Sequence, residues 1–121
     1  MSDHSIVHIE FSAKDRKVSK KFYGDIFGWK FLDYDEMNYT TFETGDGVGG
    51  GLSPVSKDNP AGTVIVHIHT DDVTATLQKI KAAGGTVVLP ETDIPNTGKY
   101  GLFRDPAGNL VGLFKEQMPQ G

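Results

Sequence analysis

Short stretches of alternating apolar and polar residues recur along the chain, which is the pattern of half-buried β-strands. In residues 6–12 (IVHIEFS) the apolar side chains share one face, and His8 and Glu10 lie on the other. Residues 63–69 (TVIVHIH) repeat this pattern. Both stretches are therefore predicted to be strands with one buried face and one more polar face.

A helix is predicted after the first strand, because Asp15 offers an N-cap and apolar residues then recur at helical spacing. Gly28 is placed to end it, since glycine readily adopts the left-handed conformation that closes a helix. Asp71 or Asp72 caps a second predicted helix, which ends at residues 84–85 (GG). The apolar stripe of the first helix consists of Val18, Phe22 and Ile26 with neighbouring Tyr23 and Phe27, and that of the second consists of Val73, Leu77 and Ile80.

Three strands are predicted after each helix. The predicted strands lie at residues 29–34, 39–43 and 48–55 in the first half, and at 86–89, 100–104 and 110–115 in the second. A proline-bounded loop is predicted at residues 90–98 (PETDIPNTG). The order of one strand, one helix and three strands thus occurs twice.

The two halves also share short motifs in the same order, which indicates an internal repeat. We therefore predict an α+β fold of two βαβββ units that form a curved, cup-shaped mixed sheet. Residues 1–121 are predicted to be a single domain, with repeat units at about 5–55 and 63–115. The matching motifs are IVHIE with IVHIH, Tyr39-x-x-Phe42 with Tyr100-x-x-Phe103, and Gly51-Leu52 with Gly112-Leu113.

The glycine-rich stretch at residues 45–51 (GDGVGGG) contains the G-x-G-x-x-G pattern of dinucleotide-binding sites. That pattern binds phosphate only where a strand leads through it into the N-terminus of a helix. Here it is followed by LSPVSKDNPAG, which does not predict a helix. The glycines are therefore interpreted as a turn at residues 45–47 and a glycine-rich strand after it.

The bulk composition excludes several functional classes. Without cysteine in its 121 residues, the chain has no disulfide, thiol nucleophile or zinc–thiolate site. The formal net charge is −4 and basic residues form only small clusters, which argues against nucleic acid as a partner. No apolar run approaches membrane-spanning length, and the N-terminus lacks the apolar core of a signal peptide. We therefore expect a soluble, cytoplasmic protein that does not bind membranes.

Candidate chemistry concentrates on the polar faces of the two alternating strands. His67 and His69 are two residues apart, so both imidazoles point to the same side, a spacing that occurs in metal sites. His8 and Glu10 could supply further ligands, and histidine can also act as a general acid or base near neutral pH. The simpler interpretation is that all four are polar residues on the wet side of a sheet.

Four segments carry a resemblance to a known family: IVHIEFSAKD and FYGDIFGWKF in the first half, and DDVTATLQKIKAAGG and LFRDPAGNLVGL in the second. In these segments the chain resembles the vicinal oxygen chelate superfamily, the glyoxalase/bleomycin resistance/dioxygenase proteins, over residues 5–115. The resemblance implies paired βαβββ units with a ligand cup, often in a homodimer. It is less specific for function, because proteins of one fold catalyse different reactions or only bind their ligands.

The resemblance also implies which positions bind metal in the metal-dependent members. The position near the start of the first strand matches His8, and its counterpart in the second unit matches either Ile65 or His67. The two positions near the end of each fourth strand, where glutamate is usual in the glyoxalase I type, match Gly51 and Gly112. Because glycine has no side chain to bind a cation, the usual divalent-metal site is not expected.

These observations predict a small-molecule-binding member of the superfamily without a metal cofactor, and they leave catalysis open. One alternative is a metal-dependent lyase, isomerase or dioxygenase with a rearranged divalent-metal site at His8, His67 and His69. Another is a resistance-type protein that sequesters a drug or toxin. In an enzyme, the expected acid–base groups are His67, His69 and Glu10. The expected pocket for a small organic molecule consists of His8, Glu10, Gly51, Ile65, His67, His69, Gly112 and Phe114.

Overall fold

The computed structural model describes residues 4–57 and 59–117 of the chain. The chain divides into two compact units. The first unit is Val7–Val66, and the second combines the residues before Val7 with those from His67 onward.

The first unit contains one helix and four strands. Its strand order is β2-β3-β4-β1, in which β1 and β4 are parallel and the other neighbours are antiparallel. A short 3₁₀ helix at Asp35–Met37 joins β2 to β3. The elements are β1 (Ile6–Ala13), α1 (Arg16–Phe27), β2 (Lys30–Tyr34), β3 (Tyr39–Glu43) and β4 (Gly50–Pro54).

The second unit repeats this arrangement, with strand order β5-β8-β7-β6 and a parallel pair of β5 and β8. The start of the chain is tied to it, because His4 N–H donates to the His69 carbonyl (2.9 Å) and His69 N–H donates to the Ser5 carbonyl (2.8 Å). The elements are β5 (Val64–His69), α2 (Val73–Ala82), β6 (Thr86–Ile94), β7 (Gly98–Arg104) and β8 (Leu110–Glu116).

The predicted α+β fold with two βαβββ units is confirmed, because one strand, one helix and three strands follow each other twice. The predicted helix caps are also present. Asp15 accepts a hydrogen bond from Val18 N–H, and Asp72, rather than Asp71, accepts one from Ala75 N–H. Within the described residues, neither α1 nor α2 has the length and apolar character that crossing a bilayer requires.

The prediction of a loop over residues 90–98 is wrong. Strand β6 continues to Ile94 and β7 begins at Gly98, so only residues 95–97 lie between the two strands. Proline is tolerated here since β6 is the last strand of the order, where a missing N–H need not interrupt a ladder. The register also shifts between Leu89 and Thr92, which accommodates the irregular backbone. An edge position therefore overrides the strand-ending effect that proline suggests in the sequence.

Trp29 lies in the middle of the aromatic core of the first unit. Its ring stacks on Phe42 with centroids 4.7 Å apart, and on Tyr23 of α1 with centroids 4.9 Å apart. Phe11 of β1 stacks on Phe42 at 5.6 Å, and Leu52 of β4, 1 % exposed, packs in the same cluster. Residues that alternate with these along β1, β3 and β4 therefore point to the opposite face of the sheet.

The core of the second unit lies between α2 and the strands β7 and β8. Each of its fully buried apolar side chains stabilises the fold by about 1.5–3 kcal/mol through removal from water. Ile68 of β5 packs against this core, so its neighbours His67 and His69 point to the other face of β5. The buried members are Val73, Leu77, Phe103 and Leu113.

Helix α1 differs from α2 in that none of its residues is buried. The apolar stripe predicted for it faces outward: Val18 is 64 %, Phe22 is 55 % and Ile26 is 63 % exposed. Tyr23, one residue further round the helix, makes the stacking contact with Trp29 instead. The sequence pattern thus located the helix correctly, but its most regular apolar face lies on the surface.

Candidate functional site

The candidate residues of the first unit share the sheet face opposite Trp29. Glu10 of β1 is paired with Gly51 of β4, and Thr41 of β3 is paired with the same glycine. Paired residues project to the same side, so His8, two residues before Glu10, shares this face. We name it the first polar face, which consists of His8, Glu10, Tyr39, Gly51 and Ser53.

Tyr39 connects the two titratable residues of the first polar face. Its hydroxyl donates a hydrogen bond to Glu10 Oε2 at 2.9 Å and lies 2.8 Å from His8 Nε2. Because the hydroxyl has a single proton and gives it to Glu10, the second contact needs an N–H donor at His8 Nε2. The phenol therefore lies in a chain of hydrogen bonds that runs from an imidazole to a carboxylate.

Gly51 leaves the space in which this phenol lies. A Cβ atom at position 51 would overlap the hydroxyl and ring atoms of Tyr39. Gly51 is itself buried within β4. The missing side chain therefore admits an aromatic hydroxyl at the position where the resemblance implies a metal-binding carboxylate.

The backbone at Tyr39 is held by Arg16, the first residue of α1. The guanidinium of Arg16 donates to the Tyr39 carbonyl at 3.0 Å and to the Thr40 hydroxyl at 2.8 Å. Thr40 is fully buried and donates to Asp33 at 2.7 Å. A satisfied polar network of this kind favours one geometry, so it fixes the start of β3 and with it the phenol.

Burial affects both titratable groups of the first polar face. It raises the pKa of Glu10, and hydrogen bonds from Tyr39 and Ser53 partly oppose the change. It lowers the pKa of His8, which favours the neutral imidazole. Ser53 is held in turn by Asn59, whose amide donates to the serine hydroxyl at 2.9 Å. A carboxylate whose charged form is disfavoured takes up a proton more readily, so Glu10 has the properties of a general base.

The candidate residues of the second unit also share one sheet face. In the parallel pair of β5 and β8, His67 is beside Gly112 and His69 is beside Phe114. A Cβ atom at position 112 would overlap the His67 ring, so this glycine makes room for an imidazole as Gly51 does for a phenol. His67 and His69 are buried, as is Ile65, which is 2 % exposed. We name this the second polar face, which consists of His67, His69, Gly112, Phe114 and Glu116.

Glu116 is the charged partner of His69. His69 Nε2 lies 2.8 Å from Glu116 Oε2, and this close contact is the main reason that the pKa of Glu116 is lowered. Glu116 follows Phe114 by two residues along β8, so it shares the same side of the strand. The side chain of His69 is thus oriented by a carboxylate within its own unit.

Sequence reasoning misses Tyr39, Ser53 and Glu116, although each belongs to a polar face. Strand alternation offered a signal for all three, because Ser53 and Glu116 follow Gly51 and Phe114 by two residues and Tyr39 alternates with Phe42. The contact of Tyr39 with Glu10, however, depends on the registers of β1, β3 and β4, which the sequence does not state. In the sequence, Tyr39 served only as a marker of the repeat.

Neither polar face fits the divalent-metal site that the resemblance implies. Within each unit, over the residues that the structure describes, no three His, Asp or Glu side chains are grouped as metal ligands. Gly51 and Gly112 offer no donor, and the space beside them is taken by Tyr39 and His67. A catalytic metal site uses about three protein ligands and keeps one position open. The side chains of the first polar face support acid–base chemistry of their own.

The sequence of this chain is similar to those of proteins in one known superfamily. Residues 5–113 match the model of the Glyoxalase/Bleomycin resistance protein/Dioxygenase superfamily. The chain is 28 % identical over 114 residues to a Mycobacterium bovis protein named "Putative glyoxylase CFP32". The match covers 88 % of this chain and 44 % of CFP32. It is 27 % identical over 132 residues to a Vibrio cholerae protein named "Probable lactoylglutathione lyase", with 97 % and 94 % covered. The chain thus spans less than half the length of CFP32.

The fold is also shared with solved structures. Methylmalonyl-CoA epimerase from Mycobacterium tuberculosis superposes with a TM-score of 0.71, over 93 % of this chain and 88 % of the epimerase chain. The sequence identity is 14 %, so this similarity shows the fold alone.

Proposed function

The chain belongs to the glyoxalase/bleomycin resistance protein/dioxygenase superfamily, and we propose that it binds a small organic molecule at the first polar face and exchanges a proton with it through Glu10. In this proposal neither the binding nor the proton transfer uses a divalent metal. His67 and His69 are proposed as alternative acid–base groups. They are second choices because His69 is in close contact with Glu116, and the His67 ring packs in the space beside Gly112.

One observation carries the proposal: the Tyr39 hydroxyl lies between His8 and Glu10, in the space that Gly51 leaves. A glutamate at position 51 would exclude the phenol from this place. The first unit therefore has a proton-donating group where a metal-binding side chain would be expected. Such an arrangement supports acid–base chemistry by protein groups.

Glu10 is the proposed proton acceptor. A bond between hydrogen and carbon or oxygen of the ligand would break, and its proton would form the O–H bond of neutral Glu10. Tyr39 would then be released from donating to a carboxylate, and its hydroxyl could donate to the oxygen of the ligand on which negative charge develops. Neutral His8 would continue to donate through Nε2 to the phenolic oxygen.

The ligand class follows from the character of this face. A binding surface without a carboxylate at position 51 suits an organic molecule with apolar or aromatic surface and one carbonyl or hydroxyl group. The name of the Vibrio cholerae relative favours a lyase-type reaction. A protein that only sequesters its ligand, the resistance-type alternative, would return the ligand unchanged.

NMR mapping of fragment binding tests this proposal. Isotope-labelled protein is titrated with acetophenone, mandelate and related aromatic ketones and hydroxy acids. We expect the largest shift changes at His8, Glu10 and Tyr39, and roughly two- to tenfold weaker binding for Tyr39→Phe, because the hydroxyl that holds His8 and Glu10 in place on this face is lost. Tyr34→Phe is the matched control, since Tyr34 is the cross-strand neighbour of Tyr39. Binding that maps to another surface would contradict the proposal.

The spacing of His67 and His69 favours a second candidate function, a metal-dependent lyase, isomerase or dioxygenase that uses these two residues. Both imidazoles lie on the same side of β5. Elemental analysis of protein purified without an affinity tag separates the two candidates. Stoichiometric metal that disappears on His67→Ala would support the metal enzyme, and wild-type protein without bound metal would exclude it.

A further inference from the structure

A cavity of about 310 Å³ lies on the α1 side of the sheet of the first unit. Ala13 and Pro54, which are paired across β1 and β4, form part of its wall. They follow the core residues Phe11 and Leu52 by two positions, so the cavity and the first polar face lie on opposite sides of the sheet. Its volume is at the lower end of the range for small-molecule sites. The rest of the lining is charged or polar: Lys14, Asp15, Arg16, Lys17, Lys20, Asp33, Asp35 and Asn38.

Arg16 brings a fixed guanidinium to this cavity. Its Nη1 donates to the Tyr39 carbonyl and to the Thr40 hydroxyl, so both protons of that nitrogen are engaged. Its Nη2 lies 3.6 Å from a carboxylate oxygen of Asp35, a side chain that is 83 % exposed, so water screens this pair. Within residues 4–57 and 59–117, Nη2 and Nε donate no hydrogen bond. One edge of a guanidinium that the fold holds in place can therefore donate to a ligand.

The charges of the lining favour an anion. Four basic and three acidic side chains line the cavity, in a chain whose formal net charge is −4. Two of the carboxylates have their own partners, since Asp15 caps the first backbone N–H groups of α1 and Asp33 accepts from Lys20 Nζ at 2.7 Å. Among the described residues, neither Lys14 nor Lys17 forms an ion pair. Because Asp15 already engages the end of the helix, side chains and not the helix end form the positive surface.

We propose that this cavity binds a small phosphate monoester, with two phosphate oxygens on the outer edge of the Arg16 guanidinium. The planar fork of arginine matches phosphate oxygens in this bidentate way. A phosphate monoester has a third terminal oxygen for Lys14 or Lys17, and a charge of roughly −2 at neutral pH. A carboxylate offers only two oxygens and one charge.

The proposed site needs no rearrangement of the first unit. The phosphate would use Nη2 and Nε of Arg16, so the contacts of Nη1 with Tyr39 and Thr40 would persist. A donor that is already held in its binding geometry loses little conformational entropy when the ligand binds. The site is also independent of the chemistry proposed for Glu10, which lies on the other face of the sheet.

NMR titration of isotope-labelled protein at constant ionic strength tests the site. We expect β-glycerophosphate to shift the Arg16 Nε–H signal and the amide signals of residues 14–17 until they saturate, and glycerol to leave them unchanged. Succinate, which carries carboxylates only, should bind about tenfold more weakly, because it makes fewer charged hydrogen bonds with the site. Shifts that never saturate, or equal affinity for succinate, would overturn the proposal.

Variants separate this site from general attraction between charges. Arg16→Lys keeps the charge but removes the fork, and it should weaken β-glycerophosphate binding about tenfold. The double variant Lys14→Gln with Lys17→Gln changes only exposed side chains and should weaken binding severalfold without affecting the fold. Lys21→Gln is the matched control, since Lys21 lies on α1 outside the cavity and pairs with Asp25. Circular dichroism checks that each variant folds. Unchanged affinity in either folded site variant, or an equal loss in Lys21→Gln, overturns the proposal.

Discussion

The hydroxyl of Tyr39 lies where the side chain of residue 51 would lie if that residue were not glycine. The glycine at position 51 of the sequence thus determines which side chain lies at the centre of the first polar face. The same absence that removes a metal ligand admits the phenol that connects His8 with Glu10. Its consequences can be measured in the protein without its ligand.

Replacing Gly51 by alanine should displace the Tyr39 phenol, because the added Cβ would overlap it. We expect a loss of about 1–3 kcal/mol in the free energy of unfolding, the usual range for overpacking, measured by urea denaturation. In a Tyr39→Ala background the same change should cost much less, since the overlapping atoms are gone. Equal losses in the two backgrounds would show that the overlap does not determine the effect.

Removing the hydroxyl of Tyr39 should raise the pKa of Glu10 further. In the wild type, the hydrogen bond from Tyr39 opposes the effect of burial on this carboxyl group. Tyr39→Phe removes that opposition and keeps the ring. Carbon-detected NMR titration of the Glu10 carboxyl group measures the change, and Tyr34→Phe should leave it unaltered. A lower pKa in Tyr39→Phe would contradict the hydrogen-bond assignment.

The raised pKa of Glu10 also predicts the pH dependence of stability. A carboxyl group whose pKa is raised by folding contributes most stability at acid pH, and this contribution is lost as pH rises through the folded pKa. Glu10→Gln cannot ionise, so its stability relative to the wild type should increase from about pH 4 to about pH 8. Urea denaturation at a series of pH values tests this sign; a constant difference would argue against it.

Glu116 should behave in the opposite way, because its pKa is lowered by the close contact with His69. Its contribution is present above the ordinary pKa of a carboxyl group and is lost as pH falls through the folded value. The stability of Glu116→Gln relative to the wild type should therefore decrease as pH rises. The effect should be small, since the Glu116 side chain is 41 % exposed and solvent screens the pair. The same slope for both variants would contradict the assigned pKa directions.

Truncation of one residue in each helix should reveal the difference between α1 and α2. Leu77→Ala removes a buried side chain of α2 and should cost about 2–5 kcal/mol. Phe22→Ala removes an exposed one and should cost under about 1 kcal/mol. Similar losses for the two variants would mean that Phe22 belongs to the core.

The parts of the fold that sequence predicts well are those set by local chemistry. Asp15 and Gly28 define α1 because capping and left-handed closure act within a few residues. Alternation likewise placed Glu10 opposite Phe11, and the structure shows that separation. Local rules failed at Pro90, whose strand conformation depends on the edge position of β6.

The candidate site was predicted less completely, because it depends on contacts between strands. His8, Glu10 and Gly51 were predicted to line the pocket, but Tyr39, which connects His8 with Glu10 beside Gly51, was not. Tyr39 reaches Glu10 only through the registers of β1, β3 and β4, which no short motif encodes. The sequence also does not show which side of α1 faces the core. In the structure Tyr23, rather than Phe22, meets Trp29.

The most direct test of the central claim is the affinity of wild-type protein for an aromatic fragment such as mandelate or acetophenone, measured after exhaustive treatment with chelator. The account predicts binding at the first polar face that is unchanged by chelation and by later addition of Mn²⁺ or Zn²⁺. Binding that is lost on chelation and restored by either ion would contradict it.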